Sequence, residues 1–383
     1  MARAATPSFR PPRQNPTGNM AGRPLPGPNK GRGACSNASG RYELEQRGAF
    51  DDGWTSGEDL EPLKTSVTIE HPKKILSFNK SPDVGFDRSI NPYRGCEHGC
   101  IYCFARPTHA YMGLSAGLDF EQSLYAKPSA PKLVENEFSS PKYRPQTVAF
   151  GTNTDPYQPI ERDFLIMRKL LKVFSRFNHP FSILTKSILV ARDIDLIAPM
   201  AKKDMARAMV SITTQDRMLA RSMEPRASTP EKRFEAIKKL SDAGVPTGVA
   251  TGPMIPGLND HEMESIMEKA AALGATYSTF TIIRLPLEVA PLFQEWLEQY
   301  APDRANRVMR HIREINGGRN YDPHWSRGRE ISSPYAGLIR KRHAAMSKRL
   351  GFLSHKKPLD LGKFRVPHNQ SAQLSLFSES EAK

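Results

Sequence analysis

Between about residues 66 and 350, apolar positions fall into short strand-like runs separated by longer stretches with helical spacing. The runs Ser123–Lys127, Thr147–Phe150, Phe181–Thr185, Met209–Thr213, Val245–Ile255 and Phe280–Arg284 have the length and content of buried strands. Between them, residues 161–177 place Phe164, Leu165, Leu171 and Phe174 on one helical face. Thr229 followed by Pro230 and Glu231 predicts a capped helix that runs to Gly244. Further helices are predicted over 291–300, 303–315 and 335–350. Strands that alternate with helices imply an α/β fold with a parallel sheet, because each crossover returns the chain in the same direction.

The ends lack this pattern. Residues 1–62 are rich in Pro, Gly, Asn and Arg and sustain no period, which predicts a mostly disordered extension, although the stretch from Ser36 to Glu43 has groups able to pack back on the core. Residues 351–383 read as a basic, flexible tail. Only 38% of the chain is hydrophobic and 32 residues are proline, consistent with one core of 66–350 and non-globular ends. No apolar run is long enough for a bilayer, and the start, Met-Ala-Arg-Ala-Ala-Thr, has no signal-peptide core, which predicts a cytoplasmic protein.

A net charge of +15 suits a polyanionic partner, since neutralising phosphates releases condensed counterions. A solvated basic surface is the plainer reading of the same charge. Arg340, Lys341 and Arg342, with Lys348, Arg349, Lys356 and Lys357, could track a phosphate backbone or simply face water.

Three of the four cysteines, Cys96, Cys100 and Cys103, lie in one C-x-x-x-C-x-x-C window with an aromatic residue before the last sulfur. Clustered ligands of this kind argue against a disulfide framework. A structural zinc ion would need a fourth ligand from His98, His109 or Cys35. The window resembles that of the radical S-adenosylmethionine (SAM) enzymes. That resemblance implies a [4Fe–4S] cluster on Cys96, Cys100 and Cys103, an open iron for SAM, and a partial (β/α)6 TIM-like barrel with its chemistry at the carboxyl ends of the strands. It also implies a one-electron donor such as a flavodoxin or ferredoxin. Tyr102 would lie against the adenine, with plain packing as the alternative. Ile255, Gly257 and Asp260 resemble the family's G-x-I-x-G-x-x-E adenine element, with Pro253 in place of the first Gly and Asp260 in place of Glu; an ordinary turn would read the same way.

Longer stretches resemble the branch related to spore photoproduct lyase: Ser89–His109, Gly151–Glu161, Ser211–Thr214 and Glu224-Pro225. The resemblance implies action on damaged DNA and SAM contacts from Asn153 or Thr154, Lys186 and Ser211. Lys186 would meet a carboxylate as a point charge, and Ser211 the ribose; a surface charge and a backbone-bonded hydroxyl are the respective alternatives. The lyase's hydrogen-returning cysteine has no counterpart, because Phe150–Asp155 contains no thiol. Cys35, Tyr93 and Tyr157 are the substitutes available. In the tail, Gln373, Leu374, Ser375, Leu376 and Phe377 resemble the pentapeptide with which bacterial repair and replication proteins bind the DNA polymerase sliding clamp, a tethered apolar triplet for a groove. The combined expectation is a bacterial lyase-like DNA-repair enzyme. A radical SAM enzyme modifying RNA or protein, or a non-catalytic clamp-bound iron–sulfur adaptor, uses the same residues differently.

Overall fold

The computed structural model describes residues 31–43, 64–79, 85–322, 333–354 and 357–367. Strands are β1 Ser66–Ile69, β2 Leu76–Phe78, β3 Arg88–Ile90, β4 Tyr93–Arg94, β5 Ser123–Ala126, β6 Val148–Phe150, β7 Phe181–Thr185, β8 Ala206–Ser211, β9 Thr247–Met254 and β10 Tyr277–Ile282. The helices are α1 Asp119–Gln122, α2 Ala130–Phe138, α3 Glu161–Phe164, α4 Ile166–Arg176, α5 Ile194–Ala201, α6 Arg217–Met223, α7 Pro230–Asp242, α8 Met263–Ala272, α9 Val289–Tyr300, α10 Pro302–Ile315 and α11 Pro334–Arg349.

Six strands, β3-β6-β7-β8-β9-β10, pair in parallel to form the curved sheet of a partial TIM-like barrel, with β2 antiparallel at one edge. The alternation along β7 shows the two faces. Phe181, Ile183 and Thr185 are buried under helices, whereas Ser182 is half-buried and Leu184 is 38% exposed on the concave side. Register carries that concave face across the sheet as Ser89–Ala149–Ser182–Arg207, Leu184–Met209–Gly248–Tyr277 and Ser211–Ala250–Thr279. These rows are mostly small side chains. Gly248 has a further reason to lack a side chain: a Cβ there would come within 2.2 Å of the Tyr277 ring.

Two predicted elements differ from expectation. The run Ser123–Lys127 does form a strand, but it pairs with β1 and β4 in a separate three-stranded sheet. The first barrel strand is β3, whose three residues are too short to show a period. The helix expected over 161–177 is broken at Leu165, which is left-handed (φ 52°) and more than a third exposed. Glu161 explains the break. Its carboxylate accepts the backbone N–H groups of Met167 (3.0 Å) and Arg168 (3.3 Å), capping a new helix that buries Ile166, Met167, Leu170, Leu171, Val173 and Phe174.

Parts of both extensions are built into the domain. Residues 32–40 lie along the segment 115–121, where Asn37 and Asp119 exchange hydrogen bonds (2.9 and 3.1 Å) and Ser115 donates to the Ala38 carbonyl (2.6 Å). Residues 357–367 cross the amino end of the sheet, where Phe364 packs among Phe138, Tyr143, Phe177 and His179. Among the described residues no helix is long and apolar enough to cross a membrane.

Candidate active site

The cysteine window follows β3 and β4 and lies at the carboxyl end of the sheet, as a loop that turns at two left-handed glycines, Gly95 (φ 71°) and Gly99 (φ 67°). Hydrogen bonds hold the loop from several sides. Cys96 N–H donates to the Phe120 carbonyl (3.0 Å) and Ile101 N–H to that of Met223 (3.0 Å). Beneath it the buried Arg106 places its five N–H bonds on the carbonyls of Gly99 (3.0 Å), Cys100 (2.9 Å), Ala116 (3.0 Å) and Gly117 (2.9 Å) and on Glu121 (2.5 Å).

The loop after β6 braces the other flank. Gln158 donates to the Gly95 carbonyl (3.3 Å) and accepts from Glu97 N–H (2.8 Å). Asp155 joins three segments: its carboxylate accepts from Thr185 Oγ1 (2.7 Å) and Lys186 N–H (2.8 Å), and lies 3.4 Å from His98 Nδ1. Burial holds the His98 imidazole below its ordinary pKa, although Asp155 opposes that shift.

A third group fills the space between the loop and β8. Tyr102 hydroxyl donates to Glu224, which also accepts from Thr213 Oγ1 (3.0 Å) and pairs with the guanidinium of Arg233. Arg233 spends its other bonds on the carbonyls of Ser228 (2.7 Å) and Ser211 (3.2 Å). Burial acts to raise the Glu224 carboxyl, but Arg233 and Lys186 outweigh it and keep it below the ordinary range. The Lys186 ammonium lies 5.8 Å from the centre of the Tyr102 ring. Burial would lower its pKa, and Cys100 and Glu224 reverse that, so the lysine stays charged.

The donor set fits an iron–sulfur cube. Burial pushes the Cys96 thiol well above its ordinary pKa, with Asp155 and Cys100 adding to the effect, and pushes Cys100 up to about 12. A thiolate in such a place needs a directly bonded metal for its charge. The three candidate fourth ligands for zinc are placed otherwise. His98 faces Asp155, His109 Nε2 is 3.1 Å from the Ser123 carbonyl, and Cys35 is buried near Glu295 and Glu121. Among the described residues no three His, Cys, Asp or Glu side chains converge on one ion. A [4Fe–4S] cube takes one thiolate per iron, which three cysteines of one loop can supply.

The remaining expected residues are placed as follows. Asn153 is exposed, with its N–H on Asn91 Oδ1 (3.0 Å); Thr154 is buried and accepts from Gln158 (3.0 Å). Ser211 donates to the Gly252 carbonyl (3.1 Å). Ile255 N–H is held by Asn259 (2.6 Å), and Asp260 accepts from Gly257 N–H (2.8 Å) and from the Tyr335 hydroxyl (2.7 Å). Tyr93 donates to Glu161 (2.5 Å), and the Tyr157 ring lies 6.0 Å from the Arg192 guanidinium. The structure therefore brings Tyr102, Lys186 and the cysteines together, and it buries Cys35 beside Glu121 and Arg106. Sequence reasoning missed the roles of Asp155, Arg106, Glu121 and Arg233. Asp155 and Arg106 stand inside the recognised stretches; the Thr185 and Lys186 partners of Asp155 are 30 or more residues away, and those of Arg106 are mostly backbone carbonyls, which leave no mark in the sequence. Gln373–Phe377 lie outside the described residues.

Against known proteins, the sequence profile of the radical SAM superfamily matches residues 90–270. Over 290 residues the chain is 32% identical to an uncharacterized protein of Mycobacterium tuberculosis, covering 74% of this chain and 82% of that protein. A protein of Pseudomonas phage M6, named as a radical SAM Nalpha-GlyT isomerase, is 24% identical over 217 residues, covering 56% of this chain and 43% of its own. Among solved structures, spore photoproduct lyase complexed with dinucleoside spore photoproduct superposes with a TM-score of 0.51 at 14% identity, covering 75% of this chain and 80% of that one. At that identity the likeness is one of fold.

Proposed function

The chain belongs to the radical SAM superfamily, and from that premise we propose that it acts on DNA, taking a hydrogen atom from a damaged or modified nucleotide. The observation that carries the cofactor half of this reading is Lys186, a cation held charged against Tyr102 of the cysteine loop. When bound to Cys96, Cys100 and Cys103, a [4Fe–4S] cluster with SAM supplies one-electron cleavage of the cofactor to a 5′-deoxyadenosyl radical.

The chain's own residues orient and enclose. Lys186 would offer a positive charge for the carboxylate of the methionine moiety, and the exposed Asn153 a side-chain amide. Backbone at Ile255 and Gly257 would meet the adenine, with Asp260 fixing the turn, and Tyr102 would pack against the same ring. Thr154 fixes Gln158 behind the loop. Ser211 meets the ribose after exchanging its bond to Gly252. The concave face of the sheet, with its small residues, is where the nucleotide would be received.

Two findings support DNA as the substrate: the net charge of +15 and a fold shared with a lyase solved with a dinucleoside photoproduct. Because residues 150–155 carry no thiol, the chemistry after hydrogen abstraction differs from the lyase's. Cys35, Tyr93 and Tyr157 are the chain's own hydrogen-return candidates, and Cys35, beside Glu121 and Arg106 of the cysteine-loop support, is the one thiol among them. A flavodoxin or ferredoxin would supply the electron. The pentapeptide Gln373–Phe377 would tether the enzyme to the sliding clamp.

The test is an anaerobic assay for 5′-deoxyadenosine with undamaged and ultraviolet-treated DNA. Stimulation by either DNA supports the proposal. Formation of 5′-deoxyadenosine that neither DNA changes, but an RNA or a protein extract does, would overturn its substrate half. Loss of clamp capture in Phe377→Ala tests the tether.

A further inference from the structure

We propose that residues 32–34 are a clasp that holds the cysteine loop in its cluster-binding shape, with Gly33 and Glu121 as the positioning residues. The clasp lies more than fifty residues before the stretch that matches the superfamily, which begins at residue 90. It rests on the reading that Cys96, Cys100 and Cys103 hold an iron–sulfur cluster.

Three observations meet at one point. Gly33 and Ala34 both donate their backbone N–H groups to the buried Glu121 carboxylate (2.9 and 2.8 Å). The same carboxylate receives Arg106, whose other N–H groups hold the carbonyls of Gly99 and Cys100 inside the cysteine window. The clasp also touches the window itself: a Cβ on Gly33 would fall 1.9 Å from the Gly99 carbonyl oxygen, a distance no side chain tolerates. Arg32 extends the contact, donating to the Glu121 carbonyl (2.8 Å) and to Thr65 (3.0 Å), which in turn donates to Glu97 (2.6 Å) between the first two cysteines.

The physical consequence follows from how ligand shells work. Thiolates bind three irons well only if the backbone between them is already shaped, and outer partners that fix this shape govern affinity almost as strongly as the ligands do. Here one carboxylate and one guanidinium connect the clasp to two consecutive carbonyls of the loop. Lifting the clasp leaves Glu121 with fewer donors in a buried place and lets water approach from that side.

The experiment compares wild-type protein with Gly33→Ala, Glu121→Gln and Ser36→Ala after anaerobic reconstitution. Iron and sulfide per chain, the rate of bleaching by a chelator, and the midpoint potential of the cluster are measured for each. Gly33→Ala is expected to bleach about 10- to 100-fold faster and to shift the potential, since hydrogen bonding and solvent access set it. Ser36→Ala loosens the strap only where Ser36 meets Glu295 (2.6 Å) and should match wild type. If Gly33→Ala does not fold by circular dichroism, the near-isosteric Glu121→Gln carries the test with the same expected direction. Wild-type bleaching rate and potential in the folded variants would overturn the clasp. So would equal loss in Ser36→Ala, which would reduce the strap to general packing. Wild-type protein that takes up no iron would instead sink the cluster reading on which the clasp rests.

Discussion

The two ends of the barrel are built from opposite materials. At the amino end, Phe138, Tyr143, Phe174, Phe177, His179 and Phe364 form a ring cluster, with His179 stacked 4.1 Å from Phe138. At the carboxyl end, Asp155, Lys186, Glu224, Arg233, Arg106 and Glu121 are all at least half-buried; five of them are hydrogen-bonded through their charged groups, and the Lys186 ammonium faces the Tyr102 ring. Rings gain from burial and shape alone, so the first end needs no chemistry to justify it. Buried ions gain little net stability even when paired, so the second end is there for what it positions. The difference teaches where to expect conservation of charge to matter for activity, and where only volume matters.

The sharpest way to break that contrast is at the cysteines. Cys100→Ala should abolish both iron binding and 5′-deoxyadenosine formation, measured by iron analysis and chromatography, while the melting temperature of the metal-free protein barely moves. Next in size is Glu224→Ala. It strands Arg233 as a buried charge, and unfolding should become easier by about 3–5 kcal/mol in denaturant titrations. Glu224→Gln, which keeps the shape but removes the charge, should cost nearly as much; a far smaller loss would contradict the role assigned to the paired charge.

Acid probes the amino end. Burial lowers the His179 imidazole to about 3, against 6.5 for the free side chain. The unfolded chain therefore binds the extra proton first. This residue's contribution is complete above about pH 6.5 and is lost as pH falls toward 3, at roughly 1.4 kcal/mol per unit. In urea titrations across that window His179→Phe should show a shallower dependence of stability on pH; an unchanged slope would contradict it. The smallest effect is expected for Phe364→Ala. The ring is only partly buried, so a loss of about 1–2 kcal/mol is predicted. Chelator bleaching of the cluster should stay at the wild-type rate, and a faster rate would blur the division between the two ends.

Much was legible before any coordinates. Buried strands such as Val148–Phe150 announce themselves because a parallel strand buried on both faces is a short unbroken apolar run. The helix at Pro230–Asp242 was readable from Thr229 and Pro230, since capping chemistry is local. The cysteine window was readable for the same reason, because a cluster's ligands sit close together in the chain. What failed was also physical. The three-residue β3 shows no period, and the break at Leu165 depends on Glu161 being fixed by Tyr93 and Arg192, far away in the chain.

The sequence by itself determined the alternation of strands and helices, the three sulfurs and the excess of positive charge, all of which are local patterns or sums. Only the tertiary structure decided that Asp155 joins the cysteine loop to β7, that Arg106 and Glu121 lie beneath it, and that Gly33 touches Gly99. The first and last join segments tens of residues apart, while Arg106 reaches the loop and Glu121 across 6 to 15 residues. In neither case does a chain carry a local mark of which group will meet which until packing removes the water between them.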